Sequence, residues 1–177
     1  MSNIWFCSDL HFGHKNIGGF RDKFIKSEQE NRKRIVDDWF KVVTKRDEVY
    51  VLGDACFTME TIHEFATLPG KKHLVRGNHD SLDTQVYLKY FDGVYGILKY
   101  KEFWLTHAPI HPNELRGKMN LHGHVHFASI HEPYEEYYNE NPRLDKRYFN
   151  CCPENLWPLK GRALISLEEI RKYLKNE

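Results

Sequence analysis

Val49-Tyr50-Val51-Leu52-Gly53-Asp54 is the stretch whose reading decides the fold class. An unbroken apolar run stops at a glycine and a carboxylate. A strand that is apolar on both faces is covered on both, as the strands of parallel sheets are. The design recurs on either side. Asn3 to Ser8 (NIWFCS) is an apolar, β-prone first strand, followed by Asp9, and Leu10 to Gly19 reads as a loop. His73 to Val75 is a third short strand ending in Arg76-Gly77-Asn78-His79-Asp80. Between the strands, Ser27 caps a helix expected to reach about Arg46. Its Ile35, Val36, Trp39, Phe40, Val42 and Val43 recur at three-to-four spacing. Thr58 caps a second helix to about Leu68, and Ser81 a third to about Phe91. Strands alternating with helices predict an α/β fold with parallel strands joined by right-handed crossovers.

The texture changes at Gly93. Val94 to Tyr100 and Phe103 to Thr106 are strands in close succession, and Leu121 leads into Gly123, His124 and His126. A second, more antiparallel sheet suits this half. The expected architecture is a two-layer β-sandwich core of mixed sheets flanked by helices. Pro133 to Pro142 (PYEEYYNENP) reads as an excursion loop whose Tyr134, Tyr137 and Tyr138 suit packing over a pocket edge or stacking on a base. A last helix starts at Ser166, where Ser166 and Glu169 match a capping box and Ile170 and Leu174 give the buried stripe.

At 177 residues the chain is one domain's worth. Hydrophobic residues are 41% and charged residues 29%, which excludes intrinsic disorder. No apolar run approaches the roughly 18 residues that span a bilayer, so no membrane partner is expected. Lys plus Arg is 26 against 25 for Asp plus Glu, a net charge of +1. Long-range capture of nucleic acid is not favoured at that balance, and Arg32-Lys33-Arg34 reads as the wet face of the first helix. The first residues form no secretory leader, and Cys7, Cys56, Cys151 and Cys152 show no Cys-x-x-Cys spacing. Both features lead to the expectation of a cytoplasmic protein with reduced thiols.

Where the polar residues fall carries the functional argument. Asp9 and His11 follow the first strand, Asp54 the second, Asn78 the third, His107 the strand at 103–106, and His124 and His126 the segment ending at Leu121. Ligands of open α/β sheets gather at the carboxyl ends of the strands. Seven oxygen and nitrogen donors are too many for one tetrahedral zinc, whereas two ions sharing a carboxylate suit the count. The lack of cysteine in the set suits Mn, Fe, Zn or Ni. In extended backbone, Asp9 and His11, or His124 and His126, would point to one side. Gly53, Gly77 and Gly123, each before a ligand, would allow close backbone approach.

Asp9-x-His11, Gly53-Asp54, Gly77-Asn78-His79-Asp80, Thr106-His107 and Gly123-His124-x-His126 resemble, in order, the signature blocks of the calcineurin-like metallophosphoesterase superfamily. The extended block Ser8 to His14 is similar to small single-domain bacterial and phage members. The resemblance implies two divalent ions, manganese first among the candidates. Asp9, His11 and His126 would hold one, Asn78, His107 and His124 the other, and Asp54 would bridge. It places His79 at the family's catalytic histidine, with Asp80 orienting its ring. His14, Asn16 and Arg76 lie close enough in sequence to contact a substrate phosphate, although turn or solvated roles fit them equally. His111 and His122 are weighed as pocket residues against loop and strand roles, while His63, His73 and His131 read as structural.

Binding to a metal lowers the pKa of water from 15.7 to about 7, giving a nucleophile for in-line attack at phosphorus. His79 would protonate the leaving group. The expected activity is phosphodiester hydrolysis on small nucleotide-like diesters. A phosphomonoesterase or dinucleotide pyrophosphohydrolase is the alternative within the class. A non-catalytic scaffold of the same fold is the alternative outside it, disfavoured by the intact ligand set.

Overall fold

The computed structural model describes residues 2–132 and 143–175. The proposed excursion at 133–142, with its tyrosines, lies outside them. Strand β1 (Ile4–Cys7) leads through the short helix α1 (Ile17–Phe20) to the long helix α2 (Glu28–Val42). Then come β2 (Glu48–Val51), α3 (Met59–Ala66), β3 (Lys71–Val75), α4 (Thr84–Tyr87), β4 (Gly93–Tyr95), β5 (Leu98–Tyr100) and β6 (Phe103–Leu105). After a 3-10 turn at Pro112–Glu114 the chain continues through β7 (Met119–His122), β8 (Tyr148–Asn150), α5 (Pro153–Lys160), β9 (Ile165–Ser166) and α6 (Leu167–Lys175).

One sheet has the order β4-β3-β2-β1-β9, parallel except for the antiparallel edge strand β9. The second has the order β5-β6-β7-β8. Two of its three pairings are parallel, and only β5 with β6 is antiparallel, so it is less antiparallel than the sequence suggested. The sheets face each other, flanked by helices, as expected. Side chains alternate along a strand. Trp5, Cys7, Val49 and Val51 therefore pack on the helix side with Ile35, Trp39, Ile62 and Phe65. Phe6, Tyr50, Leu52 and Val75 face Phe103, Leu105, Leu121 and Phe149 of the second sheet. Burial on both faces is why these strands read as unbroken apolar runs.

Local chemistry sets the ends. Ser27 caps α2 by accepting from the Glu30 amide, but the helix stops at Val42. There a β-branched run disfavours helix, and the Asp47 carboxylate takes the Thr44 N–H at 2.8 Å. Thr58 and Thr61 form a reciprocal capping box on α3, and Ser166 and Glu169 exchange bonds at α6. The helix expected from Ser81 instead begins at Thr84 with Asp83 as its cap, because Arg76 draws the Asp80 and Leu82 carbonyls out of helical geometry. The strand expected at 94–100 breaks at Gly96-Ile97, sending β4 to the first sheet and β5 to the second. Helix α5 and strand β9 had no counterpart in the sequence reading. The described cysteines are all free and buried. Among the described residues no helix is long and apolar enough to cross a membrane.

Register positions the site. Cys7 lies beside Val51 and Val51 beside Leu74, so three parallel strands end level. In the second sheet Leu105 lies beside Leu121 and His122 beside Asn150. The loops after β1, β2, β3, β6 and β7 therefore emerge along one rim.

Candidate metal centre

The seven candidate ligands do meet on that rim. The Asp9 Oδ1 atom is 3.5 Å from His11 Nε2 and 3.6 Å from His126 Nε2. Asp54 Oδ2 is 3.7 Å from His11 Nε2 and 3.5 Å from His107 Nε2, placing it between two groups. Asn78 Oδ1 is 2.9 Å from His107 Nε2 and 3.1 Å from His124 Nδ1, and those nitrogens are 3.2 Å apart.

The donor set fits metal ions. Asp9 Oδ1 and both ring nitrogens of His11 are buried without a hydrogen-bond partner, a costly state for polar atoms unless something else satisfies them. Donors bonded at about 2.0–2.2 Å to one ion lie roughly 3–3.5 Å from each other, close to the spacings around Asp9 and Asp54. Burial opposes the Asp9 charge, but the His11 ring, the His107 charge and the Ser8 hydroxyl outweigh it and hold the carboxyl well below the usual range. Burial pushes the His11 imidazole down, favouring the neutral form that binds metals.

The backbone reaches these positions through strain rather than extension. Asp9 (φ +51°), His11 (+54°), Asp54 (+51°), His124 (+69°) and His126 (+49°) are left-handed, a conformation rare outside glycine and costing about 1–3 kcal/mol each. The same-side argument from extended backbone is therefore wrong for both pairs, Asp9 with His11 and His124 with His126: these side chains are aimed by left-handed turns. The Asp9 and His11 amides donate to the Gly53 and Asp54 carbonyls at 2.9 and 3.0 Å, which sustains those turns. The glycine reading is right. A Cβ on Gly123 would overlap the Ser8 hydroxyl and the Asp9 carboxylate, and one on Gly53 would overlap the His107 ring.

Asp80 does something other than orient His79. Its carboxylate accepts the amides of Asp54 (2.9 Å), Ala55 (3.1 Å) and Gly77 (2.7 Å), tying the β2 loop to the β3 loop. Burial, helped by the Asp54 charge, pushes this carboxyl above its ordinary range despite the three N–H donors. The His79 ring is exposed and stacks on Phe57 at 5.3 Å, and its amide donates to Asp54 Oδ1 at 2.9 Å. His14 packs at the rim against His11 and Phe57, and burial, then the His79 charge, lowers its pKa. The exposed Asn16 begins α1 without a side-chain capping bond. Arg76 has the turn role: its guanidinium donates to Thr84 Oγ1 and to the Asp80 and Leu82 carbonyls. His111 caps the 3-10 turn and His122 lies buried on β7, bonded to the Gly123 carbonyl. His63 bonds the Tyr90 hydroxyl, and His73 stacks on Tyr50.

Three residues escaped the sequence reading. Arg21, fully buried, donates to Glu154 Oε1 (2.6 Å), Asn31 Oδ1 (2.8 Å) and the Asp9 carbonyl (2.6 Å). Glu154 Oε1 also faces His126 Nδ1 at 2.9 Å, leaving Nε2 for Asp9 and a metal. Burial opposes the Glu154 charge, but His126 and Arg21 prevail and lower its pKa. The Cys152 thiol donates to Asp9 Oδ2 at 3.2 Å, and burial pushes its pKa well up. The only local signal was Pro153, which suits a helix start.

A two-sheet α/β sandwich with an oxygen- and nitrogen-donor cluster on its carboxyl rim is the layout of a metal-dependent phosphoesterase. The chain belongs to the calcineurin-like phosphoesterase family, whose model matches residues 2–167. An uncharacterized protein of Methanocaldococcus jannaschii is 29% identical, covering 99% of this chain and 97% of that protein. The Gene 66 protein of Mycobacterium phage L5 is 40% identical over 85 residues, 45% of this chain and 41% of the phage protein, so this match spans under half of either. A crystal structure of an Aquifex aeolicus protein of unknown function superposes with a TM-score of 0.70 at 27% identity, covering 98% of this chain and all of that one.

Proposed function

We propose that the protein hydrolyses phosphodiesters of small nucleotide-like size with two divalent cations, manganese first among them. The observation that carries this reading is Asp54 Oδ2, set between His11 and His107 and so between the two candidate donor groups. Asp9, His11 and His126 would hold one cation, Asn78, His107 and His124 the other, and Asp54 both. Such a pair, when bound, supplies an activated water and offsets phosphoryl charge.

The chain's own residues do the rest. His79 stands at the exposed edge, its backbone fixed by Asp54 and its ring face by Phe57. A ring nitrogen there donates a proton to the departing oxygen, a contribution of about 10²–10⁴-fold. Asp80 keeps the Asp54 and Asn78 loops in register. Two arginines near the rim are engaged elsewhere, Arg76 by its turn and Arg21 by Glu154. A singly charged diester needs less cationic support than a monoester dianion, which favours the diester.

Chelation followed by readdition of metal tests the reading. Turnover of bis-p-nitrophenyl phosphate should vanish on exhaustive chelation and return with Mn²⁺ or a similar ion. Undiminished turnover in the metal-free protein would refute it.

A further inference from the structure

An unusual aromatic surface adjoins the centre. Phe20 and Phe127 are 49% and 46% exposed. Phe20 ends α1, and Phe127 directly follows the candidate ligand His126. Their rings are 5.8 Å apart, and Phe20 meets the His126 ring edge-on at 4.6 Å. Neither is loosely placed. Phe24 lies nearly parallel to Phe127 (13°, 6.4 Å) and packs on Trp157 at 5.4 Å. That indole also carries the Arg34 guanidinium at 4.2 Å. Contiguous exposed apolar surface beside a candidate centre is where a binding face is expected.

The direction of the surface is informative. Ring contacts run in order from Phe127 to Phe20, to His126, to His11 (5.2 Å) and to His79 (6.1 Å). The proposed proton donor and the phenyl pair are therefore the two ends of this chain of contacts, with the candidate ligands His126 and His11 between them. A phosphodiester has two ester arms. With the departing arm at His79, the retained arm extends towards Phe20 and Phe127. We infer that these two rings form a shelf for the retained arm, and that this arm is a planar aromatic group, a nucleobase or an aryl ring. Phenyl faces accept such rings with little regard to their hydrogen-bonding edges. The inference rests on the phosphodiesterase reading and specifies its substrate class. A monoester has no retained arm and leaves the shelf uncovered.

The test holds the leaving group constant. Bis-p-nitrophenyl phosphate and methyl p-nitrophenyl phosphate both release p-nitrophenolate, and only the retained arm differs. The Mn²⁺-loaded protein should favour the aryl arm in kcat/KM by about tenfold or more, the scale of one aromatic stack. Phe20→Ala with Phe127→Ala should lower that ratio by about the same tenfold. Phe127→Ala alone, which leaves the contact with His126 intact, should lower it in part. A ratio unchanged in these variants overturns the shelf. So does loss of a dimer in sedimentation with the ratio unmoved, which would make the patch a contact between copies. A calorimetric arm needs no turnover: diphenyl phosphate should bind the loaded protein at least about tenfold more tightly than dimethyl phosphate. Equal binding overturns the shelf even if diesters are hydrolysed. Tighter diphenyl binding without hydrolysis of any ester would keep the shelf and refute the catalytic reading.

Discussion

The two halves of the candidate metal centre are built differently. In the Asp9–His11–His126 half, Asp9 and His11 are buried, His126 is half-buried, and Asp9 and His126 are braced. Asp9 accepts from Ser8, Cys152 and the His124 amide, and His126 leans on Glu154, itself paired with Arg21. In the Asn78–His107–His124 half, Asn78 and His124 are exposed, and their side chains meet each other and His107. A ligand whose posture is fixed by its surroundings loses less freedom on binding a cation. The braced half should therefore hold its cation more tightly. The open half, whose Asn78 directly precedes His79 in the chain, would then be the side from which substrate arrives. Rigidity would then supply affinity on one side, and access would supply chemistry on the other.

Asp54 belongs to both halves, so its removal should have the largest effect. Asp54→Asn should lower metal content at both positions and drop turnover to that of the metal-free protein. Elemental analysis of the purified variant checks this, and loss of a single equivalent would break the symmetry assumed for Asp54. His79→Ala should do the reverse, keeping both ions while turnover falls about 10²–10⁴-fold on poor leaving groups. With p-nitrophenolate, which needs little protonation, the loss should be smaller. An equal loss on good and poor leaving groups would show that His79 acts by positioning instead.

The sequence revealed the candidate ligands more clearly than what holds them. Asp9, Asp54, Asn78 and the histidines stand immediately after apolar runs, so strand ends and donors were visible together. Arg21 and Glu154 are 133 positions apart and look like ordinary surface charges until the fold buries them together. Helix α5, which carries Glu154, was hidden because Pro158 interrupts its pattern. Left-handed backbone at Asp9 and His126 had no glycine to announce it. Asp80 was assigned to its sequence neighbour His79, whereas its partners include the amides of Asp54 and Ala55, 26 and 25 positions away. Periodicity reports which face is apolar. It does not report which distant polar group a loop will meet.

Glu154 offers a smaller but sharper test of the comparison, because it touches only the braced half. Glu154→Gln keeps the volume and an acceptor oxygen but removes the charge facing His126 and Arg21. Affinity at the Asp9–His11–His126 position should fall about 10–100-fold, as when a carboxylate behind a ligating histidine is lost. The other position should keep its affinity, which a competition titration against a chromophoric chelator would resolve as two separate constants. Equal weakening of both would mean that Glu154 acts on the fold as a whole. Glu154→Ala should additionally destabilise the metal-free protein by about 3–5 kcal/mol, since it strands the buried Arg21 charge. The pH dependence has a definite sign. The folded carboxyl titrates below its ordinary 4.5, so its stabilising charge is fully present above that value and is lost as pH falls through the lower folded one. Thermal unfolding of the metal-free wild type and Glu154→Gln should therefore differ most above pH 4.5 and converge in acid. A gap that stays constant into acid would assign the difference to packing rather than to the ion pair.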